Sequence, residues 1–254
     1  MIILQAFAWI FDPAHYTTTA LGTGIPEALV NHLLLAGVSL GITIVIALPL
    51  GLYIGHTGKG RTIAIVASNV VRAFPSLGMI AIFFILFQPI FGLGYNFAAD
   101  VVAFILLGVP PLLAGAYSGL EAVDRQTIDA ARAIGMTEWQ VLTKVEIPLG
   151  AQLIVGGLRS STLQIIATVT IASLYGQVSL GTYIANGLAQ SDYVQMLAGA
   201  ILVIALALIA DGLLAIVQRL VVPRGVSRVA TKHRNTASGS LRPATPGTPI
   251  KEGN

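Results

Sequence analysis

The chain has 254 residues, of which 55% are hydrophobic and 10% charged, against roughly 25% charged in ordinary soluble domains. That balance excludes a water-soluble globule, and continuous apolar runs of about twenty residues exclude an outer-membrane barrel, whose strands alternate apolar and polar over about ten. The absence of cysteine excludes disulfides and thiolate chemistry, and the net charge of +3 does not point to nucleic acid, because the basic residues are sorted by membrane side.

In chain order, Met1 to Phe11 is apolar but lacks a basic leader and is too short to span, so it reads as an interfacial or loosely ordered segment. Residues 1–29 form an external N-terminal segment on this reading. Five spans follow: Val30 to Ile54, Thr62 to Pro89, Val101 to Leu120, Ala151 to Tyr175 and Val194 to Leu220. Together, residues 30–220 make an all-α, polytopic membrane domain. Lys59 and Arg61 follow the first span, Arg125, Arg132 and Lys144 lie between the third and fourth, and Arg219 opens a basic tail. The stretches before Val30, from Ile90 to Asp100 and from Gly176 to Tyr193 carry no lysine or arginine. The positive-inside rule then predicts an outside N-terminus and a cytoplasmic C-terminus in a cell membrane. The tail, 221–254, has a composition expected to stay disordered, with basic residues able to touch anionic lipid.

The one long cytoplasmic segment, 121–150, concentrates charge. Asp124 is placed to cap a short helix running to about Ile134, and Gly135 to end it with a positive φ. Thr137 and Gln140 have capping-box spacing for a second helix, which Pro148 is expected to end or kink. Ala130, Ala131 and Ala133 present small side chains that permit close approach of another surface. The alternative is a structured loop without a partner.

Asp129, Ala130, Ala131, Gly135, Val145, Ile147 and Pro148 follow the spacing E-A-A, three residues, G, nine residues, I-x-L-P. This resembles the signature of ABC importer permeases, with Asp for Glu, Val for Ile and Ile for Leu. Arg72 to Leu77 resembles the R-x-x-P-S-L stretch of the glycine betaine and methionine types, and Gly157 to Ser160, Ile166 to Ser173 and Leu180 to Leu188 are similar to their closing half. The glycine-rich turn of many relatives is replaced by Gly176 to Gly181. The resemblance implies a type I, methionine-permease-like fold in which these loop residues couple to a separate ATPase dimer. It also implies a second permease chain, identical or paralogous, and an extracellular or lipid-anchored binding protein. ATP and Mg would sit on the ATPase. This chain would carry no cofactor and no catalytic site. Its own Gly58, Lys59 and Gly60 do not complete a phosphate loop, because Tyr53 holds the first glycine position and Gly60 that of the Ser or Thr.

Arg72, Arg159 and Asp211 fall inside spans, roughly 12 to 15 Å from their cytoplasmic ends. Each costs about 2.5 to 3.5 kcal/mol unless paired or wet. Asp211 is expected to pair with Arg72 or Arg159; the alternatives are snorkelling, or a second span that begins near Pro75. Ser161, Gln164, Thr168 and Tyr175 share one face of the fourth span. They either line the pathway or hydrogen-bond a neighbouring helix. Gly37 with Gly41, Gly51 with Gly55 and Gly115 with Gly119 have small-xxx-small spacing, which suits tight packing. His15, His32, His56 and His233 lack metal-ligand spacing and read as surface histidines. The expected cargo is an osmoprotectant such as glycine betaine, choline or carnitine, with methionine or another amino-acid-like solute as the alternative. An ATPase-independent secondary transporter is the runner-up from another class.

Overall fold

The computed structural model describes residues 1–19, 22–91 and 96–222. Its helices are α1 (Ile2–Phe11), α2 (Ile25–Thr57), α3 (Arg61–Ala73), α4 (Ser76–Phe91), α5 (Asn96–Glu121), α6 (Arg125–Ala133), α7 (Glu138–Val141), α8 (Ile147–Ala172), α9 (Gly181–Gln190) and α10 (Tyr193–Val221). Among the described residues, four helical stretches are long and apolar enough to cross a membrane: α2, α5, the run from α7 through α8 to Tyr175, and α10. The pair α3 and α4 is apolar enough only when taken together, as one broken span or a re-entrant loop.

That pair corrects the second predicted span. Instead of running unbroken from Thr62 to Pro89, the chain leaves helix at Phe74 and turns by 90° into α4. Pro75 forces the break: it has no N–H to continue the ladder, and its ring pushes the preceding residue into extended backbone, where Phe74 sits at φ −73°, ψ 131°. Ala64 of α3 packs with Ile54 and Leu113 near the end that carries α6 and α7. Val71 packs against the central cluster around Ile80, Phe104 and Ile165. The break therefore lies well inside the bundle.

The segment before α2 is also more ordered than its composition suggests. α1 lays Ala6 and Ile10 against Ala198 of α10. His15 Nδ1 donates to the Trp9 carbonyl at 2.8 Å, and its ring stacks on that of Trp9. α2 begins at Ile25, ahead of the Val30 at which the first span is predicted to start. The predicted tail lies outside the described residues beyond Val222.

In lipid, helices gain no hydrophobic drive from touching one another, so close packing must hold them together. The seam between α5 and α8 supplies it with glycine on glycine. A Cβ on Gly115 would stand 2.5 Å from the Gly157 Cα, and one on Gly150 would stand 2.5 Å from the Gly119 carbonyl oxygen. α2 approaches the other side of α5 through Gly51 and Gly55, against Ala116 and Leu120. Gly37 and Gly41, with the same spacing, have nothing within 4 Å of a Cβ among the described residues, so they form no such seam within this chain. His32 corrects another expectation: it is fully buried, with Nε2 3.2 Å from the Ile166 carbonyl of α8.

Candidate functional site

Two places on this scaffold gather polar side chains. The first is the segment joining α5 to α8. The Asp124 carboxylate accepts from the Gln126 N–H at 3.1 Å and starts α6. α6 ends in a two-bond stop: Gly135 N–H donates to the Arg132 carbonyl at 2.9 Å and Met136 N–H to that of Ala131 at 3.2 Å. This geometry needs a left-handed residue, and Gly135 has φ +89°. Thr137 and Gln140 then form a reciprocal capping box for α7.

Pro148 does not end or kink the second helix as expected. The turn Leu142–Glu146 is wound wider, in π-helical form, and the Ile147 N–H reaches back to the Leu142 carbonyl. That extra residue sets the register so that Pro148 falls in the first turn of α8, where its missing donor is harmless. The loop thus runs straight into a span.

Charge ties the segment to the bundle. His56, in the last turn of α2, has Nδ1 2.5 Å from Oε2 of the buried Glu146 and Nε2 3.3 Å from Glu138. Arg132 donates to both Glu138 oxygens at 2.9 Å and lies 3.6 Å from Asp129. The Arg132 hydrogen bonds hold the Glu138 carboxyl below its ordinary pKa, and Glu138 in turn holds the guanidinium above its own. Nearby, Arg61 at the start of α3 meets Glu121 at 3.1 Å.

The loop's faces are also sorted. Ala131 is turned inward with Val123, Ile128 and Val141, so it supports the loop and does not present a face to a partner. Val145 packs against the same cluster. Ile147 and Pro148 are half-buried at the root of α8. Asp129, Ala130 and Ala133 face out. Beside them stand Ile134 and Trp139, 81% and 71% exposed. Sequence reasoning missed both; the signal was a large apolar residue on each side of Gly135 in the most highly charged segment of the chain. It also missed His56, whose partners are distant in sequence.

The second place is the broken span. Arg72, Phe74, Ser76, Ser160 and Gln164 line a cavity of about 470 Å³ between α3, α4, α5 and α8. Asp211 pairs with Arg159, bidentate at 2.8 Å, while Arg159 also donates to Gln218 at 2.8 Å. This joins α10 to α8 and leaves Arg72 without an ion pair or hydrogen bond among the described residues.

The predicted stripe divides. Ser161 is buried and donates to the Gly108 carbonyl of α5 at 2.8 Å, and Thr168 is buried and donates to the Gln164 carbonyl at 2.6 Å. Ser161 therefore bonds a neighbouring helix, the second of the two readings, whereas the Thr168 bond lies within α8 itself. Gln164 stays open to the cavity. Tyr175 lies half-buried beside Phe84, its hydroxyl 3.5 Å from the Leu77 carbonyl, so it sits apart from the cavity lining. Ser160 replaces Ser161 in the open stripe: it is four residues before Gln164, a spacing legible in the sequence. Among the described residues no group of histidines and carboxylates is arranged to hold a metal.

Residues 47–223 match the family model described as the binding-protein-dependent transport system inner membrane component. The chain is 35% identical over 196 residues to the glycine betaine/carnitine/choline transport system permease protein OpuCB of Bacillus subtilis, covering 77% of this chain and 88% of that protein. It is 31% identical over 215 residues to the osmoprotectant import permease protein OsmW of Salmonella typhimurium, covering 85% and 99%. Among solved structures, it resembles inward-facing MetNI, a methionine ABC transporter, with a TM-score of 0.68 at 20% identity, covering 78% of this chain and 95% of that one.

Proposed function

The chain belongs to the binding-protein-dependent transport system inner membrane components, and from that premise we propose that it imports a quaternary ammonium osmoprotectant. It is a multi-pass membrane permease subunit. On this reading glycine betaine, carnitine or choline arrives on an extracellular binding protein, a paired ATPase that holds ATP and Mg supplies energy by ATP hydrolysis, and a second permease chain completes the path. The observation that carries the reading is the loop from Asp129 to Pro148. It is tied to α2 by His56, stopped by Gly135, and presents Ile134 and Trp139 outward. A rigid, apolar-tipped protrusion suits insertion into a groove on another protein. Because α7 and α8 run on without a break, a push on the loop would reach the span directly, as alternating access requires. The relatives named for glycine betaine, carnitine and choline support the cargo.

Reconstituted with its ATPase and binding protein, the permease should take up radiolabelled glycine betaine only when ATP is present inside the vesicles with the ATPase. Uptake driven by an ion gradient alone, without the ATPase, would replace this reading with a secondary transporter.

The distribution of Lys and Arg supports a cytoplasmic loop end and an external N-terminus. The chain's lack of cysteine makes this simple to test. A single cysteine at Asp192 should react with an impermeant thiol reagent applied to intact cells, whereas one at Gly60 should react only after permeabilisation. The reverse pattern would invert the assigned orientation.

A further inference from the structure

Arg72 is exposed at the wall of the cavity beside the Phe74–Pro75 break and has no counter-charge among the described residues. It lies eleven residues beyond Arg61, roughly 16 Å along α3. An unpaired guanidinium at such depth costs about 2.5 to 3.5 kcal/mol even on permissive scales, so the site must be wet or must receive an anion. The backbone points the same way, since non-helical chain at membrane depth is tolerated only where it is buried in protein or lines a water-filled cavity. Around Arg72 the other groups are selective in kind. Ser76, Ser160 and Gln164 offer uncharged hydrogen-bonding groups from α4 and α8. Phe74, 49% exposed, offers an aromatic ring. Pro111 of α5 also lines the cavity and has no N–H to give to the carbonyl of Leu107, another lining residue. Among the described residues no carboxylate lines it.

We propose that this cavity is a transit site for a zwitterionic solute, whose carboxylate is held by the Arg72 guanidinium and whose cationic group lies toward Phe74. The inference rests on the importer reading above and adds to it the groups of the solute that the permease itself recognises. A guanidinium binds a planar carboxylate through two parallel hydrogen bonds, and an aromatic face attracts a quaternary ammonium. The volume, about 470 Å³, falls within the range of small-molecule pockets and leaves room for water beside a solute of glycine betaine or carnitine size. Choline, which has the ammonium but no carboxylate, engages only half of the site. Arg72 therefore discriminates among solutes that share a quaternary ammonium.

The test is initial uptake of glycine betaine, carnitine, choline and methionine by the reconstituted transporter with its ATPase and binding protein. It is run for wild type, Arg72→Gln and Arg72→Lys, each checked for a monodisperse permease. Arg72→Gln should lower uptake of every carboxylate-bearing solute that the wild type carries by about tenfold or more, the effect of losing a charge-assisted bidentate contact. Choline uptake should stay within about twofold. Arg72→Lys should lie between, because it keeps the charge and loses the fork. Equal loss of all solutes, or no loss of any, would overturn the proposal. So would a wild type that carries choline alone, although that result would leave the osmoprotectant reading standing. A wild type that carries only methionine would remove the osmoprotectant reading, and Arg72 would then be judged on methionine. A wild type that carries none of the four would withdraw both.

Discussion

Gly115→Val should leave little folded permease in the membrane, whereas Gly37→Val should be recovered near wild-type yield. Both glycines lie in long apolar helices and both precede a second glycine by four residues. The difference is what a side chain would meet. At Gly115 the added Cβ would stand 2.5 Å from the Gly157 Cα, 2.8 Å from the Leu153 carbonyl oxygen and 2.9 Å from the Gly157 nitrogen. All three are backbone atoms of α8, so no rotamer change relieves the contact and the two helices must separate. Overpacking in a well-packed core costs about 1 to 3 kcal/mol where side chains can shift, and a rigid backbone contact exceeds that range. Separation would also take the Ser161 hydroxyl away from the Gly108 carbonyl. The measurement is the fraction of monodisperse protein after detergent extraction, together with its unfolding temperature. Gly115→Ala should already lower both, since its Cβ meets the same atoms. Equal yields for Gly115→Val and Gly37→Val would mean that the α5 and α8 seam is not close-packed.

The contrast between Gly37 and Gly115 shows where sequence stops being informative. Identical spacing marks both pairs, and only the neighbouring helix decides which is buried. Local features behaved differently. The Asp124 cap, the Thr137 and Gln140 capping box and the positive φ of Gly135 were all legible, because each depends on residues within a turn of one another. Asp211 was legible as needing a basic partner, since a carboxylate inside a span has few ways to exist, but the choice of Arg159 over Arg72 is tertiary. The break at Phe74 was within reach. Pro75 and the alternative of a span starting there were both visible, yet the apolar run on either side outweighed them. The order in α1 was hidden, because its partner Ala198 lies far along the chain and composition carries no trace of the contact. Spacing alone leaves Ser161 to either the pathway or a neighbouring helix; it bonds α5, while Ser160, one residue before it, lines the cavity. In a helix that single step rotates a side chain by about 100°, enough to exchange a packed face for an open one.

Gly135→Val should separate folding from coupling. Nothing lies within 4 Å of a Cβ at Gly135, so the side chain clashes with no neighbour. The penalty is in the backbone: φ of +89° is strained for a β-branched residue by about 1 to 3 kcal/mol, and the strain is relieved by releasing the two bonds that end α6. Ile134, which precedes the glycine, and Trp139, which lies between the two capping-box residues, would then lose their fixed relation. The glycine seam between α5 and α8 and the Arg159 to Asp211 pair do not involve Gly135, so the spans should still assemble. Asp129→Lys should be milder, since Asp129 is 73% exposed and its contact with Arg132 is a surface pair worth under about 1 kcal/mol.

The central claim, that the segment from Asp129 to Pro148 transmits the work of a partner ATPase, is tested most directly by measuring binding-protein-stimulated ATP hydrolysis and substrate uptake, each per transporter, in the reconstituted transporter carrying Gly135→Val. The account predicts normal insertion and an unchanged unfolding temperature for the permease, with binding-protein-stimulated ATP hydrolysis and uptake both reduced by about tenfold or more. Full coupled uptake by Gly135→Val at wild-type expression would contradict it, and the coupling role of the loop would have to be withdrawn.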